Sequence, residues 1–124
     1  TAATTIFAAG GLTLKASCAA GGNITLTMQS SKNDAMGKWY FFNTVSADDW
    51  ADGDGAGTGT GNADEDDDMD AADAPVTLTG WDDSAPGHIS YVAPDGATAD
   101  ISITAEEDGF GNQTCQVSGT AVSG

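Results

Sequence analysis

An alternation of apolar and polar residues with a period of two runs through most of this chain, and it decides the class of structure the chain can form. Leu12, Leu14, Ala16 and Cys18 share one face of a run whose other face carries Thr13, Lys15 and Ser17. Ile24, Leu26 and Met28 alternate with Thr25, Thr27 and Gln29, and Val76 and Leu78 with Thr77 and Thr79. Ala99, Ile101, Ile103 and Ala105 alternate with Asp100, Ser102 and Thr104, while Cys115, Val117 and Ala121 alternate with Gln116, Ser118 and Thr120. Side chains of an extended strand point to opposite sides in turn, so these runs describe strands with one buried and one wet face. Threonine suits the wet face because its β-branched side chain fits the pleat. The segments 4–8, 38–46 and 88–93 bring the expected number of strands to about eight.

The connections carry turn chemistry. Ala9-Gly10-Gly11 and Ala20-Gly21-Gly22 place glycine where the backbone must reverse, and Ala93-Pro94-Asp95-Gly96 reads as a type I turn. Asp108-Gly109-Phe110-Gly111-Asn112 reads as a longer hairpin loop. No helical period longer than a turn is present, and like charges oppose a helical turn within Asp64 to Asp73. The expectation is one domain, residues 1–124, folded as an antiparallel β-sandwich or jelly roll.

Charge narrows the function classes. The 124 residues hold 19 acids, three lysines and no arginine, a net charge of −16. Such a chain has almost nothing with which to neutralise a phosphate backbone, so nucleic acid is not an expected partner. No stretch approaches the ~20 apolar residues of a spanning helix, so no membrane span is expected. No leader or lipidation motif is present, so an exported protein is expected here in its mature form.

The acids are not spread evenly. The 26 residues from Asp48 to Asp73 hold 11 of the 19 and no base. That segment reads as a long acidic loop inserted in the sandwich. Asp52, Asp54, Asp64, Asp66, Asp68 and Asp70 are candidate ligands for Ca²⁺, a hard cation that takes six to eight oxygens. Asp64, Asp66 and Asp68 have the spacing that opens an EF-hand loop, but Met69 and Pro75 stand where its glycine and bidentate glutamate belong. A solvated acidic loop and adaptation to high salt stand beside the calcium reading. Clustering of the acids speaks against the second of these.

Cys18 and Cys115 lie on the core faces of strands near opposite ends of the chain. A disulfide between them would suit an oxidising compartment; two buried free thiols are the other arrangement. Two cysteines and the single His88 are too few ligands for zinc. Asn23-Ile24-Thr25 and Asn112-Gln113-Thr114 are glycosylation sequons at Asn23 and Asn112.

Trp39-Tyr40-Phe41-Phe42 interrupts the alternation. One face of that strand looks outward, so some of these rings must be covered, either by the acidic loop, by a second subunit, or by sugar rings stacking there with Trp50 and Trp81. All three tryptophans suit a core equally well. The uncharged segment 1–9, with Ile6 and Phe7, is expected to pair within its own sheet or with the edge of a neighbouring subunit. Ile6, Phe7, Trp39 and Phe41 are therefore the candidate assembly residues.

No catalytic machinery stands out. His88 is alone, no serine sits in a nucleophile elbow, nothing selects one carboxylate pair among the acids, and no arginine is present to clamp an anion. The chain is not expected to be an enzyme; a hydrolase is the residual reading.

Gly11-Leu12-Thr13-Leu14-Lys15-Ala16-Ser17-Cys18, together with Thr104-Ala105-Glu106-Glu107, Phe110-Gly111, Cys115 and Gly119-Thr120-Ala121, resembles a group of small secreted bacterial all-β domains of actinobacterial type. The resemblance covers both ends of the chain, both cysteines and an Asp-rich middle, and leaves the loop sequence itself unmatched. It implies export, a Cys18–Cys115 bridge and an extracellular or cell-surface setting. It implies no catalytic residue. The function expected is that of an extracellular structural subunit, filament- or pilus-like or part of a surface layer, associating with copies of itself through strands and aromatics. The alternative is a Ca²⁺-dependent surface module that binds carbohydrate or protein.

Overall fold

A computed structural model describes residues 2–41, 63–78, 86–107 and 115–124 of the chain. Nine strands and no helix are present among the described residues. They form two antiparallel sheets. The first contains β1 (Thr4–Ala9), β2 (Leu12–Cys18), β3 (Ile24–Ser30) and β6 (Val76–Thr77), in the order β1-β2-β3-β6. The second contains β4 (Ala35–Phe41), β5 (Ala63–Met69), β7 (Gly87–Val92), β8 (Thr98–Glu107) and β9 (Cys115–Ser123), in the order β5-β4-β7-β8-β9. The protein is an all-β antiparallel sandwich.

The period-two pattern sets which face is buried. Leu12 and Leu14 of β2, Leu26 and Met28 of β3, Ile89 and Tyr91 of β7, and Ile101 and Ile103 of β8 all point between the sheets and are almost fully buried. The uninterrupted β2–β3 register, from Leu12 opposite Ser30 to Cys18 opposite Ile24, keeps both strands in phase. A slip of one residue would turn the whole set to water. Leu78 follows β6, and its N–H donates to the Leu26 carbonyl at 2.9 Å, carrying the core past the end of that short strand.

Two expectations change. The acidic segment is not loop throughout, because Ala63–Met69 is a strand paired with β4 at the margin of the second sheet. Met69, at 2% exposure, anchors the end of this strand in the core. Acids elsewhere on a margin also discourage pairing with other chains. Trp39 is the second correction. It has 0% exposure and belongs to the core, not to an assembly surface. Ala35, Gly37 and Trp39 form the inward row of β4, and Gly37 makes room for Met28 and Met69, whose atoms would lie 2.6 and 2.9 Å from any Cβ there.

Four contacts join the sheets near their ends. Cys18 of β2 and Cys115 of β9 form a disulfide with Cα atoms 5.9 Å apart. The Ile24 N–H donates to Glu107 Oε1 at 2.6 Å. At the other end the buried Ser30 and Tyr91 hydroxyls share a hydrogen bond of 2.9 Å. Lys32 Nζ, just beyond β3, donates to Asp95 Oδ2 at 2.6 Å in the β7–β8 turn, which the Gly96 N–H closes onto the Ala93 carbonyl at 2.9 Å. The β1–β2 turn runs through Gly10 and Gly11 at φ of 62° and 99°, values that a side chain disfavours.

Candidate functional site

The acidic cluster is built where the bend before β4 meets the bend after β5. Asp34 enters β4 in a left-handed conformation, with φ of 54°. Its N–H donates to Asp70 Oδ1 at 2.9 Å, and the Ala71 N–H donates to Asn33 Oδ1 at 3.0 Å. The Asp70 N–H in turn donates to Asp73 Oδ2 at 3.0 Å. A register shift in the β4–β5 ladder between Ala35 and Gly37 displaces one strand against the other beside this clip. As a result, carboxylate oxygens of Asp34, Asp68 and Asp70 lie within 4.8 Å of one another, with Asp34 exposed and the other two half-buried. Carboxylates this close repel, and their convergent oxygens are the kind of ligand set that could hold a metal ion.

Of the six candidate ligands, Asp68 and Asp70 therefore come together. Asp64 and Asp66 occupy ladder positions opposite Trp39 and Gly37 in β5. Asp52 and Asp54 lie outside the described residues. Asp34 escaped the sequence reading because it stands far from the acidic run in the chain. The polar pair Asn33-Asp34 before an alternating strand was its one local signal.

The outer face of the second sheet carries a polar group around His88. Its Nε2 lies 3.2 Å from Asp100 Oδ1, and the Ser90 hydroxyl donates to that same oxygen at 3.1 Å. The Tyr40 ring tilts against the imidazole, with centroids 5.6 Å apart. Ser90 addresses Asp100 and not His88, so the three are not arranged as a nucleophile with its base. The other aromatics considered for sugar stacking, Trp50 and Trp81, lie outside the described residues, as do Phe42 and Asn112. Asn23 is exposed in the β2–β3 turn.

The third feature is an opening between the sheets where β1 faces β9. A cavity of about 410 Å³ there is floored by Leu14, Ile101 and Ile103 and flanked by Ile6, Phe7 and the Val117–Ala121 stretch. A second, of about 320 Å³, continues it past Val117 to the Cys18–Cys115 bridge. Ile6 is 40% exposed at this mouth, at the bulge in the β1–β2 register, while Phe7 packs partly against the core. These two of the expected assembly residues thus lie together. Phe41 ends β4 in the second sheet.

Among the described residues, Lys32 and Asp95 are a pair whose titration the structure shifts. The hydrogen bond to Asp95 raises Lys32 above its ordinary range, and the bonds from Lys32 and from the Ala97 N–H lower Asp95. A lowered carboxyl stabilises the fold above its unfolded value and loses that contribution as pH falls through its folded one. A raised amine contributes below its unfolded value and loses it as pH rises through the folded one. The pair is therefore intact across neutral pH and is lost in strong acid and in strong alkali.

No helix of the described residues is long and apolar enough to cross a membrane. Comparison with protein-family models, with curated proteins and with solved structures finds no match for this chain.

Proposed function

We propose that this protein is an extracellular structural subunit that assembles with copies of itself, in a filament or pilus-like polymer or a cell-surface layer. The observation that carries this reading is the distribution of charge over the sheet margins. β5 has five acids in seven residues, whereas β1 and β9 contain no charged residue at all. Margins that must stay apart from other chains are blunted with charge or kept very short, as the two-residue β6 is, and β1 and β9 are neither. The disulfide and the resemblance to secreted bacterial domains support an exported setting.

Sedimentation velocity and negative-stain microscopy of the purified chain test the reading. Regular oligomers or polymers that grow with protein concentration are expected, and a monomer at all concentrations overturns it. A second reading, a calcium-dependent module for surface carbohydrate or protein, is favoured by the Asp34–Asp68–Asp70 cluster. In that case Ca²⁺ raises the melting temperature of the chain, and Asp68→Asn with Asp70→Asn removes the rise. An unchanged melting temperature in excess Ca²⁺ disposes of this second reading.

A further inference from the structure

We propose that the outer edge of β9 pairs antiparallel with β9 of a second copy of this chain, across a two-fold axis near Gly119. The inference rests on the self-assembly reading and names its first contact.

The backbone of β9 is set up for such a pairing. Thr98 and Gly124 exchange both hydrogen bonds, at 2.8 and 3.0 Å. The β8–β9 register then runs unbroken from Ala99 opposite Ser123 to Glu107 opposite Cys115. In an antiparallel ladder, doubly bonded pairs recur at every second residue. Gln116, Ser118, Thr120 and Val122 therefore spend their amides on β8. Val117, Gly119, Ala121 and Ser123 turn theirs away from it, and β9 is the last strand of its sheet.

The competing margins are worse templates. β1 has six residues and is interrupted by its bulge at Ile6; β6 has two; β5 is acidic. β9 has nine residues, no bulge and no charge. Those are the properties of an edge left open to another strand.

Side chains point the same way. Ala121 shares the inward row of β9 with Val117, yet it is exposed, because none of the described residues lies over the apolar opening beside β1. A strand added along β9 lays its own inward row across that opening. Charge selects where a second copy can approach. Two copies at −16 each repel over most of their surfaces, and the uncharged β9 margin is where they can approach. The sequence of β9 is also compatible with itself in antiparallel register. Centring on Gly119 sets glycine against glycine and Val117 against Ala121 of the second copy, with each outward amide meeting an outward carbonyl. Such a contact is isologous and closes as a dimer, leaving the β1 margin for the next contact in a larger assembly.

Ala121→Pro tests the proposal. Proline removes one outward N–H and leaves the bonds to β8 in place. The unaltered chain is expected to associate reversibly, and more strongly as salt rises from about 0.05 to 0.5 M and screens the like charges. The variant is expected to remain folded by circular dichroism and to associate at least about tenfold more weakly. Hydrogen exchange on the unaltered chain gives an independent reading: the Val117, Gly119 and Ala121 amides should slow at least about tenfold on association. If the chain associates while the variant matches it and these amides stay unprotected, the β9 contact is overturned and self-assembly stands. If the chain stays monomeric at all concentrations and salts, both fall. If the proline variant fails to fold, the exchange measurement decides alone.

Discussion

Trp39 shows how a single residue can be legible in position and hidden in role. Its parity with Ala35 and Gly37 makes it an inward residue, but Met36 and Tyr40 on the outward row are apolar too, so the period-two signal vanishes where the strand is most aromatic. Only the packing resolves it, by placing the indole in full burial. Its Nε1 has no hydrogen-bond partner among the described residues. Trp39→Ala is expected to cost about 3–5 kcal/mol in chemical denaturation, because it empties the largest fully buried side chain among the described residues. Trp39→Phe should cost clearly less, since it keeps most of the apolar ring and removes a donor whose burial without a partner is itself unfavourable. Equal losses for the two would mean that the indole N–H has a partner in solution.

At the scale of elements, the strands that were legible are those with one buried face. β3 and β8 repeat a buried residue at alternate positions from end to end, and β2 does so at Leu12 and Leu14, so composition and conformation carry the same message. β5 was not legible, because nearly every position is acidic and no period survives; its strand conformation comes from pairing with β4. The same applies to the acidic cluster. Asp68 and Asp70 could be found in the charge run, but Asp34 joins them through a β4–β5 clip that no local pattern encodes. β9 is legible as a strand, yet its inward alternation leaves Val117 half-buried and Ala121 exposed, because an edge covers only part of its length. Gly119 has a specific duty there. A Cβ at that position would run into the Ser102 carbonyl oxygen. Gly119→Ala is therefore expected to push β9 off β8, costing about 1–3 kcal/mol and loosening hydrogen-exchange protection at Ser118 and Thr120. Unchanged protection at both amides would refute that account.

For the whole molecule, the disulfide is the covalent link between distant parts of the sequence. Cys18 and Cys115 are 97 positions apart, so their bond closes a loop containing most of the chain. Loop entropy alone assigns such a closure about 4–5 kcal/mol. Replacing both cysteines by serine should lower the melting temperature strongly while leaving the strand signal in circular dichroism at low temperature. A melting temperature within a degree or two of the parent chain would contradict that expectation. The bond also ties the first sheet to the margin of the second, beside the opening between β1 and β9.

That tie has a mechanical consequence. Tension applied to the segments that precede Cys18 and follow Cys115 is carried straight across the sulfur atoms. Up to roughly 330 Å of contour between them, at about 3.4 Å per residue, cannot pay out while the bond is intact. A subunit pulled through its flanks would lose β1, β2 and β9, which lie outside the bridged loop, while the strands between the two cysteines stay tied, and it would lengthen far less than an unbridged chain of the same size.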